Sequence, residues 1–201
     1  STIGINLLFL LFFLVFAFSM ITSRYHKLLY QSMQSSSALV SYEFTKRLED
    51  LVSMTNIIRS DSTIQSTLDE IYQPQEAYAV HYYSDIYSAL QKHYLEYRQP
   101  YLKLAAISCP RFITYTNENI SRRPDADLTA ELVSLAETGE GSAVWVTSHA
   151  EDHGVFLVRE IKKIKNLRLN HLGTLIINID LGDLVKEMSQ ISNEYKDSYW
   201  M

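Results

Sequence analysis

The fold is decided by two strand-like segments in the second half of the chain, VFLVREIKKI at residues 155–164 and TLIINI at residues 174–179. In the first segment successive side chains fall into two alternating sets, one for each face of a strand. In the second segment aliphatic and β-branched residues dominate, as is typical of strands. Consecutive strands joined by a connection this short pair antiparallel more readily than they form crossovers. The sequence therefore predicts a mainly antiparallel sheet.

Further elements are predicted on either side of this pair. Residues 111–116, which follow Pro110, and residues 143–147 are rich in β-branched and aromatic side chains and predict two more strands. A short helix is predicted at residues 128–137. Asp180 predicts the N-cap of another helix that runs to about residue 191.

The first half of the chain predicts helices, because it contains neither glycine nor proline from residue 5 to residue 73. Apolar residues recur at spacings of three and four from Arg24 to Ile58, which is typical of one long amphipathic helix. Ser62 and Gln65 have the spacing of a capping box and predict a new short helix. Another helix is predicted at residues 75–98. The expected fold class is α+β, with the long N-terminal helices against one face of the sheet.

The N-terminus predicts a membrane-spanning helix. Residues 3–21 contain no charged side chain, and about 19 residues of helix match the thickness of a bilayer. A secretory signal peptide is the alternative, but its apolar region would be shorter and would end at a cleavage site. The predicted organisation is a transmembrane helix at residues 1–23, long connecting helices at residues 24–73 and an α+β domain at residues 74–201. The predicted location is the cell membrane, with a single span.

Composition excludes several classes of function. The chain has 201 residues with 18 basic and 23 acidic side chains, and a net charge of −5 gives no electrostatic footprint for nucleic acid. Its single cysteine, Cys109, excludes an internal disulfide framework and multi-cysteine metal sites. The sequence has no Gly-x-Ser-x-Gly, no P-loop and no dinucleotide fingerprint. We therefore expect no catalytic residue and no cofactor in this chain.

A metal site is a weak alternative at residues 149–153, HAEDH. Two histidines four apart with carboxylates between them, His149 and His153, have ligand types suited to zinc. In the metalloprotease pattern the glutamate directly follows the first histidine on a helix, whereas here it comes one place later in a predicted hairpin loop. A solvated polar loop is the favoured interpretation.

Three residues are predicted to line a ligand site: Tyr115, Trp145 and Arg159. Aromatic side chains form the walls of apolar cavities, and a guanidinium on a strand binds carboxylates or sugar hydroxyls. Core packing is the alternative for Tyr115 and Trp145. A surface strand position is the alternative for Arg159.

The order of these elements resembles a known family. The segments RLEDLVSMTNIIRSDSTIQSTL, PRFITYTNENI, VWVTS, VFLVREI and LGTLIINIDLGDL, at residues 47–68, 110–120, 144–148, 155–161 and 172–184, are similar in order and character to the extracytoplasmic Cache sensor region of YesM-like sensor histidine kinases. The resemblance implies a PAS-like antiparallel sheet with flanking helices. It also implies a homodimeric membrane receptor whose extracellular domain senses a small ligand or a partner protein.

The function expected from this resemblance is signal input to a two-component histidine kinase. In this interpretation the long helix passes a change in the sheet domain towards the kinase. The same kind of domain on a chemoreceptor or a cyclase is one alternative. A membrane-anchored binding or adhesion protein without signalling is another.

Overall fold

The computed structural model describes residues 2–72, 79–116, 123–165 and 168–198. Within these ranges the chain forms five helices and five strands. In chain order they are α1 (Thr2–Ser60), α2 (Ser62–Ile71), α3 (Ala79–Glu96), β1 (Leu102–Ser108), β2 (Ile113–Tyr115), α4 (Ala126–Thr138), β3 (Val144–Val146), β4 (Val155–Lys165), β5 (Arg168–Ile179) and α5 (Leu181–Ser198). The chain divides into an N-terminal unit, residues 1–45 with 188–201, and a sheet domain, residues 46–187.

The predicted transmembrane helix is wrong. A segment that crosses a bilayer needs about 20 consecutive, predominantly apolar residues. Across the described ranges, no helix combines that length with the required apolar character. The fold class is therefore corrected to α+β without the spanning helix at residues 1–23, and the predicted single-pass membrane location is withdrawn with it.

The sheet is antiparallel throughout, as the short connections predicted. Its strand order is β2-β1-β5-β4-β3, so that β5 lies at the centre and the three-residue strands β2 and β3 form the edges. Ile177 of β5 pairs with Leu157 of β4 on one side and with Ala105 of β1 on the other. The long hairpin of β4 and β5 continues to the pair Lys165 and Arg168.

Strand β1 and the first half of β5 were missed by the sequence patterns. β1 lies between β2 and β5, and most of its side chains are buried, so it lacks the alternation that marks a half-exposed strand. The register of the β4–β5 pair shifts between Ile161 and Lys162. This irregularity interrupts the alternation of side chains between the two faces of the sheet. The first and last residues of the strands were predicted from that alternation.

Helices cover both faces of the sheet. On one face, which we call the α4 face, Ala106, Val158 and Ile176 form a buried cluster with Leu132 and its neighbours in α4. The opposite face, the α1 face, is approached by the end of α1 and by α2 and α3. The apolar side chains of these helices that are fully buried are Met54, Ile58, Ile64, Leu68, Ile86 and Leu90.

The helix starts follow capping chemistry. α2 begins after Asp61, not Ser62, because the Asp61 carboxylate accepts hydrogen bonds from the backbone N–H groups of Thr63 and Ile64. The amide of Gln65, which the capping-box pattern assigned to this cap, donates instead to the carbonyl of Arg59 at 2.7 Å. The predicted N-cap of α5 is confirmed, since Asp180 Oδ1 accepts the N–H of Asp183 at 3.1 Å.

Three smaller expectations lie outside the described residues. The first is the start, at residues 75–78, of the helix predicted at residues 75–98. The second is a turn, for which the sequence at residues 117–119 is suited. The third is a further strand that the sequence at residues 198–201 would open, of which only residue 198 is described.

Removing the side chain of Leu132 tests the packing of α4 on the sheet. Leu132 is fully buried, so Leu132→Ala is expected to lower the free energy of unfolding by about 2–5 kcal/mol through lost burial and a residual cavity. Leu95→Ala is the matched control, because Leu95 is 52% exposed and its truncation should change stability by less than about 0.5 kcal/mol. Urea unfolding followed by circular dichroism measures both, and equal effects of the two variants would contradict the assigned packing.

Candidate functional site: an arginine junction

The structure brings two of the three predicted ligand residues to the same face of the sheet. Val144 and Val146 pack in the cluster on the α4 face, so Trp145 between them lies on the α1 face. Arg159 follows Val158, a member of the same cluster, and therefore also lies on the α1 face. Trp145 pairs with Leu157, which places it diagonally beside Arg159.

Tyr115 lies on the opposite face and does not share a site with them. Its side chain packs against the α4-face cluster, and the guanidinium carbon of Arg123 lies 4.7 Å from its ring centroid. Burial raises the pKa of the Tyr115 hydroxyl. The single ligand site that the sequence predicted from these three residues is thus split between the two faces.

Arg159 links the sheet to α1 and to the loop after α4. Its side chain is 8% exposed. Arg159 Nε donates a hydrogen bond to the carbonyl of Gly141 at 2.8 Å, and Nη1 donates to Thr55 Oγ1 at 3.0 Å. Because a buried charge is tolerated only when it is hydrogen bonded, these two contacts fix β4, α1 and the loop relative to one another within the sheet domain.

A second arginine reaches the same carbonyl. Arg59, one turn after Thr55 on α1, donates from Nη1 to the oxygen of Gly141 at 3.2 Å. Gly141 itself has a φ of +91°, a conformation that side-chain-bearing residues rarely adopt. The loop therefore presents this carbonyl from a position that favours glycine. We call the group Thr55, Arg59, Gly141 and Arg159 the arginine junction.

The junction is electropositive. Burial, and secondarily the charge of Arg59, lower the pKa of Arg159, although an arginine stays protonated at neutral pH. Of the residues that the structure describes, none places a carboxylate within ion-pair distance of Arg159 or Arg59. Glu160, next to Arg159 in the chain, has its Oε2 2.6 Å from Lys162 Nζ and its Oε1 2.9 Å from His171 Nδ1. Within the described part of the chain, the two guanidinium groups donate to a backbone carbonyl and a hydroxyl.

The sequence patterns predicted Arg159 as a site residue but did not predict its hydrogen-bond partners. Thr55 lies in the apolar stripe of α1, and a polar side chain at a core position is a usable signal, because buried polar groups have hydrogen-bond partners. Its own hydroxyl donates to the carbonyl of Val52 at 2.7 Å. Arg59 and Gly141 carry no comparable signal, since they are separated by 82 residues and the topology alone brings them together.

The histidine pair at residues 149–153 gains no further ligand. His149 Nε2 lies 3.1 Å from Glu131 Oε2 on α4, and the rings of His149 and His153 are 6.4 Å apart. Among the described residues, no group of three or more histidine, cysteine, aspartate or glutamate side chains could hold a metal ion. The geometry is that of a loop tied to α4.

A second polar link lies where α1 ends and α2 begins. His93 of α3 is buried, and its Nε2 lies 2.9 Å from Asp61 Oδ2. Burial alone would raise the pKa of Asp61, but the hydrogen bonds from His93 and from two backbone amides outweigh it and lower the pKa. This carboxylate therefore ties α3 to the corner between α1 and α2.

No protein-family model matches this sequence, and no curated protein sequence matches it. The similarity to Cache sensor regions therefore remains a prediction.

Replacing the Thr55 hydroxyl tests the junction. Thr55→Val keeps the shape of the side chain but leaves Arg159 Nη1 without its acceptor, so stability should fall by about 1–3 kcal/mol. Thr45→Val is the matched control on the same helix, because Thr45 is exposed and, in the described structure, its hydroxyl donates to the backbone carbonyl of Ser41 one turn earlier. Urea unfolding measures both variants. A loss no larger for Thr55→Val than for Thr45→Val would show that the contact does not stabilise the fold.

The lowered pKa of Asp61 predicts that the folded chain loses stability in acid. Its pKa in the folded chain lies below the ordinary value of 3.8, so its stabilising contribution is complete above that value and is lost as pH falls through the folded pKa. Asp61→Ala should therefore cost about 1–2 kcal/mol near neutral pH, and this difference from the unmodified chain should shrink between about pH 5 and pH 2. Urea unfolding across this range measures the difference.

Asp152→Ala is the control for the acid dependence, because Asp152 is an exposed turn residue. It should change stability by less than about 0.5 kcal/mol at every pH. A constant cost of Asp61→Ala down to pH 2 would exclude the linkage to ionisation.

Proposed function

We propose that this chain is the signal-input region of a two-component sensor histidine kinase, with the sheet domain as the sensing part and α1 as the element that carries the response. The similarity of element order to Cache sensor regions supports the kinase class. The antiparallel sheet with helices on both faces is the architecture that such a region requires. A homodimer, the state that this class implies, belongs to the proposal.

The observation that supports the proposal most directly is the contact of Arg159 with Thr55. A single buried side chain of the sheet bonds both to α1 and to the loop at Gly141. A ligand or partner that displaces β4 must either break the bond to Thr55 or move α1 with it. One that displaces the loop acts on the bonds that Arg159 and Arg59 donate to Gly141. Two alternative arrangements of a packed element, biased by binding, are the general basis of such coupling.

α1 is suited to carry this change because it is one continuous helix from Thr2 to Ser60. Its residues from Lys46 onward belong to the sheet domain, whereas the preceding residues belong to the N-terminal unit. The Arg59 bond to Gly141 adds a second attachment one turn from Thr55. A displacement of the last turns of α1 is thus defined by two directed hydrogen bonds in addition to apolar contacts.

The function is tested by phosphoryl incorporation from ATP into the parent polypeptide. Thr55→Val should change the rate of autophosphorylation by roughly fivefold, as a coupling free energy of about 1 kcal/mol implies, whereas Thr45→Val should leave it unchanged. A Gly–Ser insertion after Ser35 should remove the difference between the Thr55→Val variant and the unmodified sequence. The insertion interrupts α1 far from the junction.

Two results would contradict the proposal in different ways. The absence of phosphoryl incorporation in the parent polypeptide would exclude the kinase class and favour a binding protein without signalling. A fivefold effect of Thr55→Val that persists after the insertion would show that α1 is not the element that transmits the change.

A further inference from the structure

In the arginine junction, more N–H donors are present than the described residues offer acceptors for. An arginine carries five N–H donors in a fixed planar fork. Among the described residues, Arg159 uses two of them, on Gly141 and Thr55, and Arg59 uses one, on Gly141. Two positive groups thus share one carbonyl oxygen, and most of their donors have no protein acceptor in the described part of the chain.

The acidic residues nearest in sequence do not neutralise this charge. Glu140 is exposed, and in the described structure it forms no ion pair with either arginine. Glu160 is buried, and its carboxylate contacts Lys162 and His171. It lies two positions after Val158 on β4 and therefore on the α4 face, opposite to Arg159. Because the mutual repulsion of two guanidinium groups is weakly screened in a partly buried place, a negatively charged group beside them is favourable.

The space beside Gly141 is bordered by two basic side chains. A Cβ atom added to Gly141 would lie 3.8 Å from Arg59 Nη1 and 3.9 Å from Lys162 Cδ, which are ordinary van der Waals distances, so an atom of that size fits between these two residues. Trp145 is half-buried and lies on the same face of the sheet, at the position diagonal to Arg159 in the β3–β4 pair. Arg59 is half-buried, and water can therefore reach part of the junction.

We propose that the arginine junction binds a small oxyanion, a carboxylate or a phosphate group, between the guanidinium groups of Arg59 and Arg159. The proposal rests on the proposed function in one respect, because it names the chemical class of the signal that the sheet domain would sense. Planar guanidinium forks bind these two groups in a bidentate manner with charge-assisted hydrogen bonds. Since the same guanidinium groups bond to Thr55 and Gly141, the anion acts directly on the attachment between β4, the loop and α1.

The experiment is an NMR titration of the full 201-residue chain with inorganic phosphate and, separately, with acetate. Each titration is matched by sodium chloride at equal ionic strength, because screening alone changes the interaction of exposed charges. The signals observed are the side-chain Nε–H of Arg159 and Arg59 and the backbone N–H of Gly141. We expect saturable shifts at these signals with at least one of the two oxyanions and none with chloride. The oxyanion that binds more tightly distinguishes a phosphoryl from a carboxylate ligand.

Arg59→Gln should weaken the binding roughly tenfold, because it removes one charge-assisted donor pair and leaves Arg159 in place. Arg111→Gln is the matched control, because Arg111 is an exposed arginine in the turn between β1 and β2, on the side of the sheet away from β4. It should leave the affinity unchanged. Arg59→Lys keeps the charge without the fork and should give an intermediate affinity, and it replaces Arg59→Gln if that variant does not fold.

The outcomes separate this proposal from the proposed function. Shifts that do not saturate, that chloride reproduces, or that persist unchanged in the folded Arg59 variants would overturn the anion site. Saturable binding in a chain whose parent polypeptide incorporates no phosphoryl group would retain the anion site and overturn the kinase function. If the parent polypeptide is a kinase that responds to Thr55→Val but the chain does not bind oxyanions, the kinase function would be retained and the anion site overturned.

Discussion

The sheet domain depends on the way in which one buried guanidinium is hydrogen bonded. Leaving a charge of this kind without partners inside a protein costs several kcal/mol, so the fold must supply acceptors wherever Arg159 lies. It supplies a hydroxyl from α1 and a carbonyl from the loop after α4. Three parts of the chain that are distant in sequence are therefore held in one arrangement by the requirement of a single side chain.

Directed bonds of this type define position in a way that apolar packing does not. The aliphatic side chains of α1, such as Met54 and Ile58, are fully buried, but burial is non-directional and tolerates small displacements at little cost. The bonds to Thr55 and Gly141 require specific distances and angles, and they weaken steeply outside them. The hydrophobic contacts thus hold α1 against the sheet domain, while the arginine junction selects the register in which it is held.

The sequence patterns predicted this architecture where the physical signal is local, and failed where it is not. Alternation along residues 155–164 and the carboxylate of Asp180 are local signals, and both led to the observed elements. β1 was missed because a strand buried on both faces has no alternation to read. For the site, parity along a strand decides the face, and Tyr115 could be separated from Trp145 and Arg159 only once the pairing of β1, β4 and β5 was known. The contacts of the arginine junction with α1, from Arg159 to Thr55 and from Arg59 to Gly141, each join residues more than 80 positions apart, and no local pattern contains them.

The composition of the junction differs from that of a purely structural link, and this difference bears on the proposed response. A buried arginine that only stabilises a fold is usually paired with a carboxylate, which neutralises its charge. Here the described surroundings give Arg159 and Arg59 the carbonyl oxygen of Gly141 in common, and burial together with their mutual repulsion already lowers the pKa of Arg159. This arrangement is kept as long as no group more negative than the Gly141 carbonyl lies near the two guanidinium groups. A more negative group placed there would disturb it. The electrostatic imbalance that makes the contact weaker than an ion pair is therefore also what would let a change in local charge reach α1.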